Sequence, residues 1–234
     1  MGWNGNASAG AFDYIYNHDC IQTPGLGMRR SKEDSLKTRR SIVLAARRVF
    51  AKRGVSQTSM ANIAGAAGVT RGAIYGHFKD KGALFQCMRE QVRLPLMDAM
   101  NEAMLDSPGD PLAGVERYLL AVIDAMRDDA ATRDTFRILT FKCEYVGGFE
   151  DDMKRQVVRS AELAEVFERA YRAAARLGQL RKGLAPRLAA LESCAFLLGT
   201  VRLWLLDAGG GLMRKDAAKL IRAHVGNLRS ASSP

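Results

Sequence analysis

Apolar residues recur at three- and four-residue spacing along most of this chain, and over no useful length do they alternate as in a strand. The first stripe, Ile42, Ala45, Ala46, Val49 and Phe50, predicts an amphipathic helix over 34–53 that Gly54 closes as a C-cap. Ile63, Ala64 and Ala67 predict a second, short helix, with Thr58 placed to cap it and Gly68 making the turn that ends it. Thr70 can cap a third through His77, whose inward positions are Ala73, Ile74 and Phe78. Asp80 can cap a fourth that continues to Leu105. The small residues Ala64, Gly65 and Ala67 let the second and third helices cross closely.

Beyond Asp106-Ser107-Pro108-Gly109-Asp110-Pro111 the helical period resumes over 110–128, 131–146, 150–177, 186–207 and 214–229. Gly147-Gly148, Gly178, Gly183 with Pro186, and Gly209-Gly210-Gly211 punctuate these segments. The expected fold is all-α: an N-terminal three-helix helix-turn-helix head over 28–82 and a larger C-terminal helical domain over 83–234. Residues 1–27 are rich in Gly and Asn and aperiodic, and are expected to form a disordered extension. The alternative for them is a short extra helix or a DNA-binding arm.

Charge sharpens this picture. Residues 28–82 hold thirteen Lys and Arg against the three acids Glu33, Asp34 and Asp80, a net +10 that equals the net charge of the whole chain. A helix-turn-helix carrying the entire excess of positive charge is suited to duplex DNA, where phosphate neutralisation supplies most non-specific affinity.

Composition removes several other classes. With 47% hydrophobic residues the chain can bury an ordinary core, so wholesale disorder is excluded. No uninterrupted apolar run reaches the ~20 residues of a membrane span; the longest, near Cys194–Leu206, is broken by Arg202. The N-terminus lacks a basic then apolar leader, so no membrane partner is expected and the location is read as cytoplasmic. Cys20, Cys87, Cys143 and Cys194 are far apart and are expected to be free thiols. His18, His77 and His224 are equally scattered, so no metal and no cofactor is expected. The chain contains no HExxH, GxSxG or P-loop, and Cys143 beside Glu144 has no helical-neighbour His, so no catalytic residues are assigned.

The run through GVTRGAIYGHFKDKGALF resembles the TetR family of one-component bacterial repressors. PGDPL at 108–112, FKCEY at 141–145, GQL at 178–180 and RLWLLD at 202–207 resemble its AcrR-like branch, which represses multidrug efflux pumps. The resemblance covers about 28–229. It implies a homodimer that binds a palindromic double-stranded DNA operator and is released by a hydrophobic small-molecule inducer. The alternatives are a constitutive DNA-binding protein and a TetR-type regulator of a metabolic gene. Gly76 departs from the branch, which usually carries a large aromatic there.

Candidate DNA contacts follow from the head. The first turn of a recognition helix meets base edges, which singles out Thr70, Arg71, Gly72 and Ala73. Arg71 carries the forked donor that reads guanine, and Gly72 allows close backbone approach. Tyr75 and His77 lie on the outer face and can each donate to a phosphate, as matching positions do in the family this sequence resembles. Lys81 opens the next helix, where a cation opposes the dipole unless a phosphate lies nearby. Thr58 and Ser59 can donate to the DNA backbone or cap the second helix, and Lys37, Arg39 and Arg40 can reach it from the first. A solvated charged face is the bland reading of those three.

In the larger domain Val92, Leu96, Tyr118, Val122, Phe136, Leu163, Phe167, Cys194, Leu197 and Val201 lie on apolar stripes. They read either as plain core or as the lining of a ligand cavity, which the resemblance favours. The helix carrying Leu203, Trp204, Leu205 and Leu206 is apolar nearly all round, so one face is expected to meet a second copy. Trp204, Leu220 and Val225 are the expected dimer contacts.

Overall fold

The computed structural model describes residues 29–105, 107, 109–144 and 150–231; the expected extension at 1–27 lies outside them. Among the described residues there are nine helices: α1 (Arg29–Arg53), α2 (Met60–Ala67), α3 (Arg71–His77), α4 (Lys81–Leu105), α5 (Pro111–Asp128), α6 (Ala130–Phe141), α7 (Glu150–Arg176), α8 (Pro186–Leu206) and α9 (Ala217–Leu228). The only β pairing among these residues is an isolated bridge from Leu180 to Arg229. The all-α expectation therefore holds, element by element. Three boundaries move by three residues or more: α1 starts earlier than 34, α6 stops at Phe141 rather than 146, and α9 begins at Ala217 rather than 214.

The chain forms two compact units. Among the described residues, one takes in 29–95 together with Asp134–Glu144; the other comprises Leu96–Arg133 and 150–231. The helix-turn-helix sequence ends near 82, but its unit continues to Pro95, because Leu84, Phe85 and Met88 at the start of α4 are fully buried.

In the first unit Ile42, Ala45, Ala46 and Phe50 of α1 are buried as their spacing predicts, with Val43 added and Val49 only half-buried. Ile63 and Ala64 of α2 and Ile74 and Phe78 at α3 complete the core, and Phe50 meets Phe85 edge-to-face at 5.9 Å. Each such large side chain contributes about 1.5–3 kcal/mol on burial. Gly68 ends α2 in the left-handed region (φ 69°). Asp80 caps α4, its carboxylate accepting from Ala83 N at 2.8 Å.

The cap of α2 differs from the expectation. Ser59, not Thr58, is the N-cap: Ser59 Oγ accepts from Asn62 N, and Asn62 Oδ1 accepts from Ser59 N. Thr58 is buried and its hydroxyl donates back to Gly54 O at 2.7 Å.

In the second unit α7 packs on α8, and α5 packs on α7 and α9. Asp110 caps α5 through Ala113 N, and its carboxylate also takes a bidentate bond from Arg229 at 3.0 and 2.9 Å. The Arg229 guanidinium and the Ala113 and Leu112 amides hold the Asp110 carboxyl below its ordinary range against the opposing pull of burial. Tyr171, Ser193 and His224 form a buried chain, 2.6 Å from Tyr171 to Ser193 and 2.9 Å on to His224 Nε2. His224 stacks on Phe196 with ring centroids 4.1 Å apart. Asp207 ends α8 and accepts from the amides of Met213 and Arg214, which hold its carboxyl below the usual carboxylate range.

Helix α8 has a buried face of Ala189, Ala190, Ser193, Cys194, Leu197, Thr200, Val201, Trp204 and Leu205. By length and composition it is apolar enough to cross a membrane despite Arg202, and half of its most apolar stretch is buried within the protein. Its other face is the informative one. Leu188 (58%), Leu198 (55%) and Leu206 (56%) are exposed, with Leu191 and Leu203 beside them. At 100° per residue these five leucines fall on one stripe.

Candidate nucleic-acid interface

Helix α3 presents the residues expected to meet DNA, and the local sequence explains why. Thr70 is its N-cap, with Oγ1 accepting from Ala73 N at 3.1 Å. Ile74 is buried on the inner side, which turns Arg71, Gly72 and Tyr75 outward to solvent and leaves Ala73 half-buried. Tyr75 is 51% exposed, large for an aromatic on so small a unit. Gly72 and Gly76 are both exposed; a side chain at Gly76 would meet no atom within 4 Å, and one at Gly72 only the Thr70 hydroxyl, at 4.0 Å.

Gly76 therefore costs α3 stability without a packing reason. Gly76→Ala should stabilise the chain by about 1 kcal/mol and raise Tm by roughly 2–4 °C, read by thermal unfolding. An unchanged or lower Tm would show that glycine is needed there.

Other candidates have inward roles. Arg39 is 9% exposed; its guanidinium lies 4.0 Å over the Phe78 ring and donates to His77 O at 2.5 Å. It is thus a staple between α1 and the end of α3, a role invisible in the sequence because its partners lie 38 residues away. Burial, then the Arg39 charge, holds His77 below its ordinary value, so the imidazole is neutral near pH 7 and offers a phosphate a hydrogen bond without a charge. Lys81 turns away from the expected phosphate: its ammonium donates to the carbonyls of Val55 (2.8 Å), Ser56 (3.2 Å) and Thr58 (2.8 Å). Burial lowers its pKa. Lys37 is exposed and pairs with Glu33 at 3.0 Å within its own helix. Arg40 is half-buried and Ser59 exposed. Thr58, being buried, cannot present its hydroxyl to a ligand.

Arg47, which carries part of the head's charge, is buried and bonded to Thr135 (3.1 Å) and Gln91 (2.8 Å). The exposed cations of this unit include Arg48, Lys52, Arg53, Arg71 and Lys79. Lys79, in the turn after α3, lies within the motif but is not among the DNA contacts expected from the sequence.

The ten apolar candidates of the larger domain divide. Val92 and Phe136 belong to the first unit and the other eight to the second. In the second unit Tyr118 and Phe167 meet edge-to-face at 5.8 Å, and Val122, Cys194, Leu197 and Val201 are buried with them, while Leu96 and Leu163 are half-buried. Burial pushes the Tyr118 phenol up to about 12 and the Cys194 thiol up to about 11, so both stay protonated and neutral. Among the described residues no three His, Cys, Asp or Glu side chains are grouped to hold a metal ion.

The expected dimer contacts need correction. Trp204 (3% exposed) and Val225 (0%) are buried inside the unit, Trp204 beneath the Arg214 guanidinium at 4.2 Å. Only Leu220 of the three is exposed. The helix reads as apolar nearly all round, and the only angular signal in its sequence is that Arg187, Glu192 and Arg202 fall on the side that packing leaves exposed. The face left is that of Leu188, Leu191, Leu198, Leu203 and Leu206.

Comparison with known proteins agrees with this geometry. Residues 42–88 match the model of bacterial regulatory proteins of the tetR family, and residues 110–229 that of the C-terminal region of MAATS-type transcriptional repressors. The chain is 32% identical over 206 residues to the HTH-type transcriptional repressor BepR of Brucella suis, covering 88% of this chain and 99% of BepR. It superposes on NalD, the secondary repressor of the MexAB-OprM multidrug efflux pump in Pseudomonas aeruginosa, with TM-score 0.74 and 34% identity, covering 84% of this chain and 98% of NalD. SmeT, the repressor of the Stenotrophomonas maltophilia multidrug efflux pump SmeDEF, solved in complex with triclosan, is similar at TM-score 0.74 and 26% identity, with 84% and 93% covered.

Proposed function

Since the chain belongs to the tetR family of bacterial regulatory proteins, we propose that it is a ligand-responsive transcriptional repressor, not an enzyme, that controls a multidrug efflux operon. The observation that carries this reading is the outward row Thr70, Arg71, Gly72 and Tyr75 on α3, held by a buried Ile74 in the unit that carries the excess charge. Arg71 reads a base edge, and Gly72 lets the helix backbone approach the groove. Tyr75, neutral His77 and the exposed Lys79 contact phosphates.

Two copies act together in the cytoplasm. The exposed leucine stripe of α8, with Leu220 of α9, is the two-fold interface, and a two-fold dimer matches an operator of two inverted half-sites. The ligand occupies the apolar region of Tyr118, Val122, Phe167, Cys194, Leu197 and Val201. No Asp or Glu is among these residues, so the site suits a neutral hydrophobic molecule, with the protonated Tyr118 phenol as donor. SmeT bound to triclosan supports that chemistry.

Selection of duplexes from a random pool by the full-length chain tests the DNA part. Enrichment of an inverted repeat is expected; recovery of no sequence would refute it. With the selected duplex in hand, Arg71→Ala should cost about 1–3 kcal/mol and relax preference at one base of each half-site. Affinity measured against duplexes substituted at each position checks this. A uniform loss with unchanged preference would instead make Arg71 a phosphate contact.

A further inference from the structure

The turn of residues 54–58, between α1 and α2, is held from two directions by groups of the same compact unit. Gly54 enters it in the left-handed region (φ 83°), where a Cβ would also touch Lys142 O at 3.5 Å. The next peptide, that of Val55, is gripped at both poles. Val55 N donates to Lys142 O, just past the end of α6, at 2.8 Å. Val55 O accepts from the Lys81 ammonium of α4, also at 2.8 Å. The same ammonium reaches Ser56 O and Thr58 O, so three carbonyls match its three donors. Ser59, the cap of α2, is the very next residue. A second tie runs from α6 to α1, where Thr135 Oγ1 accepts from the buried Arg47. Helices α4 and α6 are also the two that pass along the chain from one compact unit into the other.

We propose that this turn is a two-sided clamp through which a change in α6 reaches the start of α2, and that Lys81 is a positioning residue of the head rather than a phosphate contact. The inference rests on the regulator reading above. In it, Lys142 O and Lys81 together fix the peptide that sets where α2 begins, and α2 supports the crossing of α3. Withdrawal of the end of α6 frees Val55 N, lengthens the turn and loosens α2 without any change at the DNA-facing side chains.

Two readouts on the full chain separate the roles of Lys81. In Lys81→Met, hydrogen exchange of the peptide covering 54–59 in the free protein should rise by about tenfold or more. Affinity for the selected duplex should fall, with the slope of log K against log salt unchanged. A phosphate contact would do the opposite: exchange unchanged, and the slope shallower by about 0.9 per head. That pair of results would overturn the proposal. Thr135→Val should likewise speed exchange at 54–59 with an unchanged slope, and Thr135→Ser, which keeps the hydroxyl, should behave as the parent chain. Exchange at 54–59 unaffected by Thr135→Val would remove α6 from the clamp. Lys81→Gln, able to keep two of the three bonds, should lie between parent and Met; equality with the parent would also overturn the role given to the ammonium. The exchange readout needs no DNA. Failure of the parent chain to bind duplex in a salt-dependent way therefore sinks the regulator reading separately.

Discussion

A glutamate in place of Leu198 should convert the protein to a soluble monomer and weaken operator binding by about 10²–10⁴-fold. Leu198 is more than half exposed in the single chain, so the substitution removes little folding stability, within about 0.5 kcal/mol for a surface site. In a two-fold dimer the same residue is buried twice, once from each copy. Each leucine of the stripe contributes about 1.5–3 kcal/mol when covered, and a carboxylate there is desolvated without a partner. Once the copies separate, each head holds one half-site alone, and the gain from simultaneous engagement is lost. Sedimentation equilibrium and binding to the selected duplex check this. A Leu198→Glu chain that stays dimeric with parental affinity would place the interface elsewhere. Trp204→Glu should differ in kind: it introduces a charge beneath Arg214 in the core and should unfold the domain rather than yield a folded monomer.

The second large effect concerns salt. A dimer making about 6–10 phosphate contacts loses roughly 10³-fold or more in affinity between about 50 and 200 mM salt. The head's net +10 sets the scale, but the structure withdraws part of it. Arg39 is spent on Phe78 and His77 O, Arg47 on Thr135 and Gln91, and Lys81 on three carbonyls. His77 is neutral near pH 7 and releases no counter-ion. Among the described side chains the exposed Arg48, Lys52, Arg53, Arg71 and Lys79 remain, with Lys37 paired to Glu33, so the slope should track these cations on the two heads. Removing Lys79 should make it shallower, while removing Arg39 should leave it unchanged and lower stability instead. Fluorescence anisotropy across that salt range reads both, and a flat response would exclude phosphate neutralisation as the source of affinity.

These two effects also show what the sequence carried and what it could not. Periodicity, caps and turns are local, so the order of the helices and the inward faces of α1, α2 and α3 were legible, while the start of α1, the end of α6 and the start of α9 were missed by three to five residues. Asp80 and Thr70 cap as their positions predict. The basic groups that turn inward are those whose partners are remote in sequence. Arg39 finds His77 38 residues on, Arg47 finds Thr135 88 residues on, and Lys81 reaches back 23–26 residues to the α1–α2 turn. Nothing in the identity of a basic residue distinguishes a phosphate contact from an internal staple. Thr58 and Ser59 illustrate the same limit at close range: both can cap, and the hydroxyl that finds Gly54 O first leaves the cap to its neighbour. On α8 only Arg187, Glu192 and Arg202 interrupt an otherwise mostly apolar pattern, so the exposed stripe was not recognised until packing buried Trp204 and left the leucines outside.

Ligand-responsive repression requires one molecule to couple a hydrophobic ligand to release of DNA. Coupling requires the ligand to bind the DNA-incompetent state of the chain more tightly, and a coupling of about 1–3 kcal/mol weakens DNA binding about 5–150-fold. The direct measurement is titration of triclosan and other neutral hydrophobic compounds into the labelled complex with the selected duplex, alongside thermal unfolding of the free protein. A compound that raises Tm should release the duplex over the same concentration range, and Val122→Trp should abolish both effects while leaving operator affinity near parental. A compound that raises Tm while leaving DNA affinity unchanged would show that ligand binding and DNA release are not coupled.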